Sequence, residues 1–382
     1  MLDRYNAFLF REDNAVGGDG PLAGMTIGVK ANIAVKGMPF HAGIGAWEWR
    51  IAEEDAEVVK RLRAAGAAIT GILNMEEGAL GAKTDNPHFG PTHNPHRHGY
   101  SPGGSSGGSG AAVAAGLCDA ALGTDTMGSV RIPAAHCGIY GFKPATDRVS
   151  QEGLIPAEPL LDAIGPLARD LDTLERVARV MSDFGELDID GEGATLIKHE
   201  VEVEPDVAKV FDEALSILPA EPKQKSLSES NSRTRFAGFI KTSLTMAADL
   251  DGVEGMSPNL RKLLTYGPNR TEKNLGLDMD VLNQMHFEVN HIVKKNGFLI
   301  LPTVPNPAFP HSEPEPAAQA DFTCLANIAG LPAISIPAGW TADGLPIGVQ
   351  IVGPAGAEAG LFHLARHLDA TLRAYRAPKE GA

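Results

Sequence analysis

Short apolar runs alternate with amphipathic segments along this chain, and the alternation predicts its elements. Residues 22–30 (LAGMTIGVK) mix small and β-branched residues and end on Lys30, the pattern of a strand. Residues 53–66 (EEDAEVVKRLRAAG) carry acids first, bases last and a closing glycine, which predicts a helix whose charges match its dipole. The run 67–74 (AAITGILN) then reads as a second strand, so this region forms a βαβ unit and predicts a partly parallel sheet.

Further along, 111–117 (AAVAAGL) is a good helix former, 119–125 (DAALGTD) reads as a strand, and Thr126–Ser129 is the turn after it. Residues 147–169 read as mostly irregular, and a helix follows at 172–183. Helical spacing recurs at 206–217, 235–248 and 279–295, with the polar run 219–231 (PAEPKQKSLSESN) as an exposed loop. FLILP (298–302) is a buried-type strand, and 303–316 is a proline-rich loop. LPAISIPAGW and LPIGVQIVGP add two strands before a final helix near 357–374, and no internal repeat is visible.

Composition narrows the function classes. With 382 residues, 43% of them hydrophobic and 21% charged, the chain can bury a large core. A net charge of −15 repels phosphate backbones and anionic membranes, so neither nucleic acid nor a membrane is expected as a partner. Asp3, Arg4, Arg11, Glu12 and Asp13 interrupt any leader-like apolar run, and a cytoplasmic location is the expectation. Cys118, Cys137 and Cys324 are odd in number and irregularly spaced, which fits reduced core thiols. His88, His93, His96 and His98 cluster in the loop 83–99, but no carboxylate or thiolate joins them at a ligand spacing, so no metal is expected.

Two glycine-wrapped serines carry the candidate chemistry. Ser105 lies in PGGSSGGSG (102–110) and Ser129 in DTMGS (125–129), where flanking glycines permit tight turns and let amide N–H groups approach a reacting carbonyl. A flexible linker is the bland alternative, but the glycine tract runs straight into the apolar helix at 111–117. A phosphate-binding loop would need a lysine, and positions 103–116 have none. GGSSG (103–107) also satisfies the G-x-S-x-G pattern of α/β-hydrolases, yet that elbow requires a strand before Ser105, and 93–102 (HNPHRHGYSP) is polar with two prolines. Lys30 reads either as a side chain reaching water or as a desolvated, neutral amine able to act as a base, whereas Lys36 reads as a loop charge. Asp125 and Arg131 bracket the Ser129 turn, either as a pair that holds its shape or as a surface pair.

With these residues in place, the chain resembles the amidase signature family. The resemblance rests on 20–33 (GPLAGMTIGVKANI), 102–116 (PGGSSGGSGAAVAAG), 122–144 (LGTDTMGSVRIPAAHCGIYGFKP), 161–170 (LDAIGPLARD), 298–305 (FLILPTVP) and the paired blocks within 326–354, in family order. It implies one α/β/α domain over residues 1–382, with a large mixed central sheet covered by helices, and no cofactor. It also implies a Ser–Ser–Lys triad, with Ser129 as nucleophile, Ser105 as a bridging serine preceded by a cis peptide bond, and Lys30 as base. Thr126, Met127 and Gly128 would surround the oxyanion, and Ala79 and Gly81, within 77–84, would line the acyl pocket. Three departures stand out: Met127 replaces the first glycine of the usual TDTGGS turn, Ala31 replaces a common aspartate, and the segment at about 185–295 is short.

A serine hydroxyl needs a base, and a lysine out of direct reach can act through a second hydroxyl. The expected activity is hydrolysis of a small carboxylic amide through an acyl-enzyme on Ser129, with the small-molecule amide as partner and a homodimer as the default assembly. Two alternatives stay open: a glutaminase-type subunit of a tRNA-dependent amidotransferase, and a non-catalytic binding protein on the same scaffold.

Overall fold

The computed structural model describes residues 2–187 and 194–379. The strands, in chain order, are β1 (Phe8–Arg11), β2 (Thr26–Lys30), β3 (Ala68–Leu73), β4 (Asp85–Asn86), β5 (Gly90–Pro91), β6 (Ala120–Asp125), β7 (Tyr140–Lys143) and β8 (Ala163–Ala168), followed by β9 (Ala194–Lys198), β10 (Lys223–Ser226), β11 (Phe298–Pro302), β12 (Ala333–Trp340) and β13 (Pro346–Val352). The helices are α1 (Glu57–Ala64), α2 (Gly107–Ala114), α3 (Arg131–His136), α4 (Leu171–Met181), α5 (Pro205–Ser216), α6 (Asn231–Asp249), α7 (Pro258–Leu264), α8 (Glu272–Asn296), α9 (Cys324–Ile328) and α10 (Glu358–Leu372).

Eleven strands join one mixed sheet in the order β1-β3-β2-β6-β8-β7-β12-β13-β11-β9-β10. The expected βαβ unit is present, with β2 parallel to both β3 and β6. Helices cover both faces, and β11 shows how: Phe298 and Ile300 join the core cluster that includes α4, α5 and α10, whereas Leu299 and Leu301 join the one beneath α6 and α8. Alternation along a strand sends successive side chains to opposite faces, so FLILP must be apolar throughout. The fold is therefore a single α/β domain with a helix-covered sheet of 11 strands. Among the described residues, no helix is long and apolar enough to cross a membrane.

Local chemistry sets the element ends. Asp170, Ser230, Ser257 and Thr271 each accept a backbone N–H three residues on, capping α4, α6, α7 and α8. The glycine-rich tract is neither a linker nor merely the approach to a helix: α2 begins at Gly107, with all eight of its residues buried. At Gly108 a Cβ would lie 2.3 Å from the Asn74 carbonyl oxygen, so glycine is what allows α2 to seat on the sheet.

Several expectations fail for physical reasons. The supposedly irregular 147–169 contains β8, a central strand disguised by Gly165 and Pro166; a Cβ at Gly165 would lie 2.1 Å from the Phe142 carbonyl oxygen. Part of the expected loop 219–231 is β10, whose KQKS sequence is exposed throughout because it forms the sheet edge and serves no core. β1, β7, β9, α3, α7 and α9 are further elements outside the expected set. Within the shortened region at about 185–295, positions 188–193 lie outside the described residues.

Candidate active site

Lys30 closes β2 and is completely buried. Its Nζ lies 2.7 Å from Ser105 Oγ and 2.7 Å from Thr124 Oγ1. Burial lowers its pKa from 10.5 to about 7, against the opposing charges of Asp162, Asp125 and Glu76. A neutral amine is thus available near neutral pH. Of the two readings of Lys30, its burial excludes the side chain that reaches water, and Lys36 is exposed. Ala31 is a buried core residue, and the hydroxyls of Ser105 and Thr124 hold the lysine.

Ser105 follows a cis peptide bond from Gly104. Its carbonyl oxygen accepts the Glu76 N–H at 3.0 Å, and the next residue, Ser106, donates its N–H to the Ser129 carbonyl oxygen at 3.3 Å. The two serine-bearing segments therefore run side by side, with Lys30 beneath Ser105. Ser129 stands four residues beyond the end of β6 at the floor of a cavity of about 500 Å³, and its hydroxyl makes no hydrogen bond among the described residues. A hydroxyl left unpaired in a cavity lining is free to meet a ligand.

The turn that presents Ser129 is locked from below. Asp125 and Arg131 are both fully buried and paired at 2.9 Å, which makes them a buried clamp and not a surface pair. Arg131 also donates to Gln350 Oε1 at 2.8 Å, the Thr323 carbonyl oxygen at 2.9 Å and Asn327 Oδ1 at 2.6 Å. Burial would raise the Asp125 pKa, but the Arg131 guanidinium prevails and holds it at about 2. Asp125 then accepts the N–H of Gly128 at 2.7 Å and of Val130 at 3.2 Å. Gly128 takes the left-handed region at φ +137°, while Met127 stays outside it, so the methionine is tolerated where glycine is usual. Its sulfur is accommodated because Gly238 faces it; a Cβ there would lie 2.9 Å away.

Of the expected site residues, Thr126, Met127, Ala79 and Gly81 line the cavity with Ser129. Gly128 does not, and its N–H is committed to Asp125. The N–H groups of Thr126, Met127 and Ser129 have no partner among the described residues, so all three are open donors at the turn. Thr126 donates its hydroxyl to Asp162 at 2.5 Å. Asp162 and Thr124 carry no local signal of their own in the sequence, although they lie inside the family-like blocks 161–170 and 122–144.

The cavity wall was not legible either. Glu76, Arg235, Thr242, Asn259, Glu315 and Gln319 add polar groups to its lining, and Phe236, Phe239 and Tyr266 form an aromatic side. Arg235 is ion-paired with Asp321. The three cysteines are free and buried. The histidines are otherwise engaged: His88 meets Glu77 at 2.9 Å, His96 meets the Cys137 carbonyl oxygen at 2.9 Å, and His93 stacks on His98.

Comparison with known proteins supplies the family. The amidase family model matches residues 10–209 and 259–362. A glutamyl-tRNA(Gln) amidotransferase subunit of Natronomonas pharaonis is 34% identical, the match covering 96% of this chain and 100% of that one. The crystal structure of the Thermotoga maritima protein of the same name is 30% identical with a TM-score of 0.88, covering 99% of this chain and 91% of that one. A crystal structure described as an amidase is 30% identical with a TM-score of 0.87, covering 96% and 92%.

These relatives correct one expectation, that of a small-molecule amide as substrate with no nucleic acid in the function. Proteins that match this chain almost end to end are subunits, and their name couples them to tRNA(Gln). The net charge of −15 bears only on direct contact with this chain, and leaves open an RNA held by another chain. The sequence, the sheet and the matched relatives agree: the chain belongs to the amidase (amidase signature) family, enzymes that hydrolyse carboxylic C–N amide bonds or transfer their amide nitrogen.

Proposed function

We propose that this chain is the glutaminase-type subunit of a tRNA-dependent amidotransferase, releasing ammonia from the side-chain amide of glutamine for use within a multi-chain assembly. The chemistry rests above all on the 2.7 Å contact between Lys30 Nζ and Ser105 Oγ beside the cavity that Ser129 floors. The assembly rests on the near end-to-end likeness to the glutamyl-tRNA(Gln) amidotransferase subunits.

In this reading Ser129 Oγ adds to the amide carbon while its proton passes to Ser105, whose own proton passes to neutral Lys30. The oxyanion meets the N–H groups of Met127 and Ser129; one such donor typically contributes about 10²–10³ in rate. Collapse breaks the C–N bond, the proton returns along the same path to the departing nitrogen, and ammonia leaves. Water then attacks the acyl-enzyme by the same relay and frees Ser129. Arg235 is the cationic side chain of the wall and suits the α-carboxylate of glutamine.

The test has two parts. A small fluorophosphonate, located by peptide mass spectrometry, should label Ser129 and fail to label the Lys30→Ala protein; label on Ser105 would sink the assignment. Chains that co-purify with this one should then confer glutamine-dependent conversion of glutamyl-tRNA(Gln) to glutaminyl-tRNA(Gln). Ammonia release with no conversion in any reconstituted assembly would refute the assembly reading.

A further inference from the structure

The cavity wall opposite the Ser129 turn offers acceptors with little to accept. The loop after β3 spends its amide donors on two carboxylates: Ala82 N–H reaches Glu315 Oε2 at 2.9 Å, while Lys83 and Thr84 reach Glu76 Oε2 at 3.3 and 2.5 Å. The Asp85 backbone N–H also reaches Glu76, while Glu315 Oε1 is left without a hydrogen-bond donor among the described residues. Gln319 adds an independent observation. It is 2% exposed, lines the same cavity, and its Oε1 is buried without a partner.

The orientation of that amide is fixed by its neighbours. Asn306 donates Nδ2 to the Pro307 carbonyl oxygen at 2.9 Å and so turns Oδ1 toward Gln319, which answers with Nε2 at 2.7 Å. Only the carbonyl end of Gln319 is left over. A buried acceptor without a donor costs about 1–3 kcal/mol, which a ligand donor would recover. Arg235, paired through Nε with Asp321, donates no hydrogen bond to Glu76, Glu315 or Gln319 among the described residues.

We infer that Glu76, Glu315 and Gln319 form a subsite for a protonated primary amine, so that the amide cleaved at Ser129 carries a positive charge on its acyl side. An ammonium group has three donors and no acceptor, which matches the acceptor oxygens that Glu76, Glu315 and Gln319 bring to one cavity. The inference rests on the glutaminase reading only in naming the α-ammonium of glutamine as that group; the subsite stands for any amine-bearing amide. Burial, reinforced by the facing Glu315, raises the Glu76 pKa to about 7, as expected of a carboxyl awaiting a cation.

The experiment measures binding by ligand-detected NMR with butylammonium and its neutral isostere butanol, using the intact chain, Glu315→Gln and Gln319→Leu. The expected result is roughly ten-fold tighter binding of butylammonium to the intact chain, with that preference lost in both variants. Equal binding of the two probes, or a preference that both variants keep, overturns the subsite. Ammonia release from glutamine and from glutaramate, which lacks the α-amino group, separates the two claims. If glutamine is not cleaved while the butylammonium preference holds and depends on Glu315 and Gln319, the glutaminase reading fails and the subsite survives.

Discussion

Replacing Lys30 with methionine should stabilise the protein while abolishing its activity. The amine is completely buried, and its pKa falls from 10.5 to about 7. At pH 6 both folded and unfolded chains carry the proton, and the fold bears the full cost of a buried charge, about 5 kcal/mol. Between pH 7 and 10.5 the folded chain has shed the proton while the unfolded chain still holds it, so stability rises with pH through that window. Above 10.5 both forms are neutral and the cost disappears. Methionine fills a similar volume without charge but gives up the contacts to Ser105 and Thr124, at about 1 kcal/mol each. Lys30→Met should therefore exceed the parent by about 3 kcal/mol at pH 6, match it near roughly pH 9, and fall about 2 kcal/mol below it at higher pH. Urea titrations of both proteins at pH 6, 7, 8 and 9 measure the difference directly, and the buried Lys143 cancels because both proteins retain it. A difference that does not change with pH, or a parent that is the more stable at pH 6, would refute the buried neutral base.

Other perturbations probe the same machinery. The kcat/KM for amide cleavage should climb through a midpoint near pH 7 and level off above it, since only neutral Lys30 accepts a proton; a flat profile from pH 5.5 to 9 with chemistry rate-limiting would count against it. Arg131→Met should lower stability by about 3–5 kcal/mol in urea titration, because Asp125 would be left as an unpaired buried charge. Gly128→Ala should cut kcat by about 10²–10³ with little change in far-UV circular dichroism, since φ +137° disfavours alanine and its Cβ would lie 2.2 Å from Thr323 Oγ1, displacing the Met127 and Ser129 donors.

Sequence patterning carried far where an element both serves the core and obeys a simple period. The βαβ unit at β2–α1–β3, the apolar β11 and the closing pair β12–β13 are of that kind. It failed where another demand overrode the period: β8 accommodates a neighbouring backbone with Gly165 and Pro166, and β10 answers only to solvent. The same division holds in the site. Lys30, Ser105 and Ser129 stand in short blocks whose glycines announce an unusual backbone, so they could be read directly. Thr124 and Asp162 lie within such blocks yet look like ordinary strand and loop residues, and only contact with Lys30 and Thr126 reveals their part. Arg235, Glu315 and Gln319 come from a helix and a proline-rich loop that no local pattern ties to the site.

The clamp beneath the Ser129 turn has a consequence for how the protein is made. Arg131 reaches the Thr323 carbonyl oxygen across 192 positions and Gln350 across 219, and Asn327 reaches back to Asp125 across 202. During synthesis the serine-bearing segments leave the ribosome long before these partners exist. Asp125 then has its local bonds to Gly128, Val130 and Arg131, but the pair lacks the carbonyl and amides that complete its burial, so the turn is formed without being locked in place. The Ser129 turn is thus locked last, when residues near 350 arrive, and a chain cut short before that point carries Lys30, Ser105 and Ser129 without the clamp that fixes them.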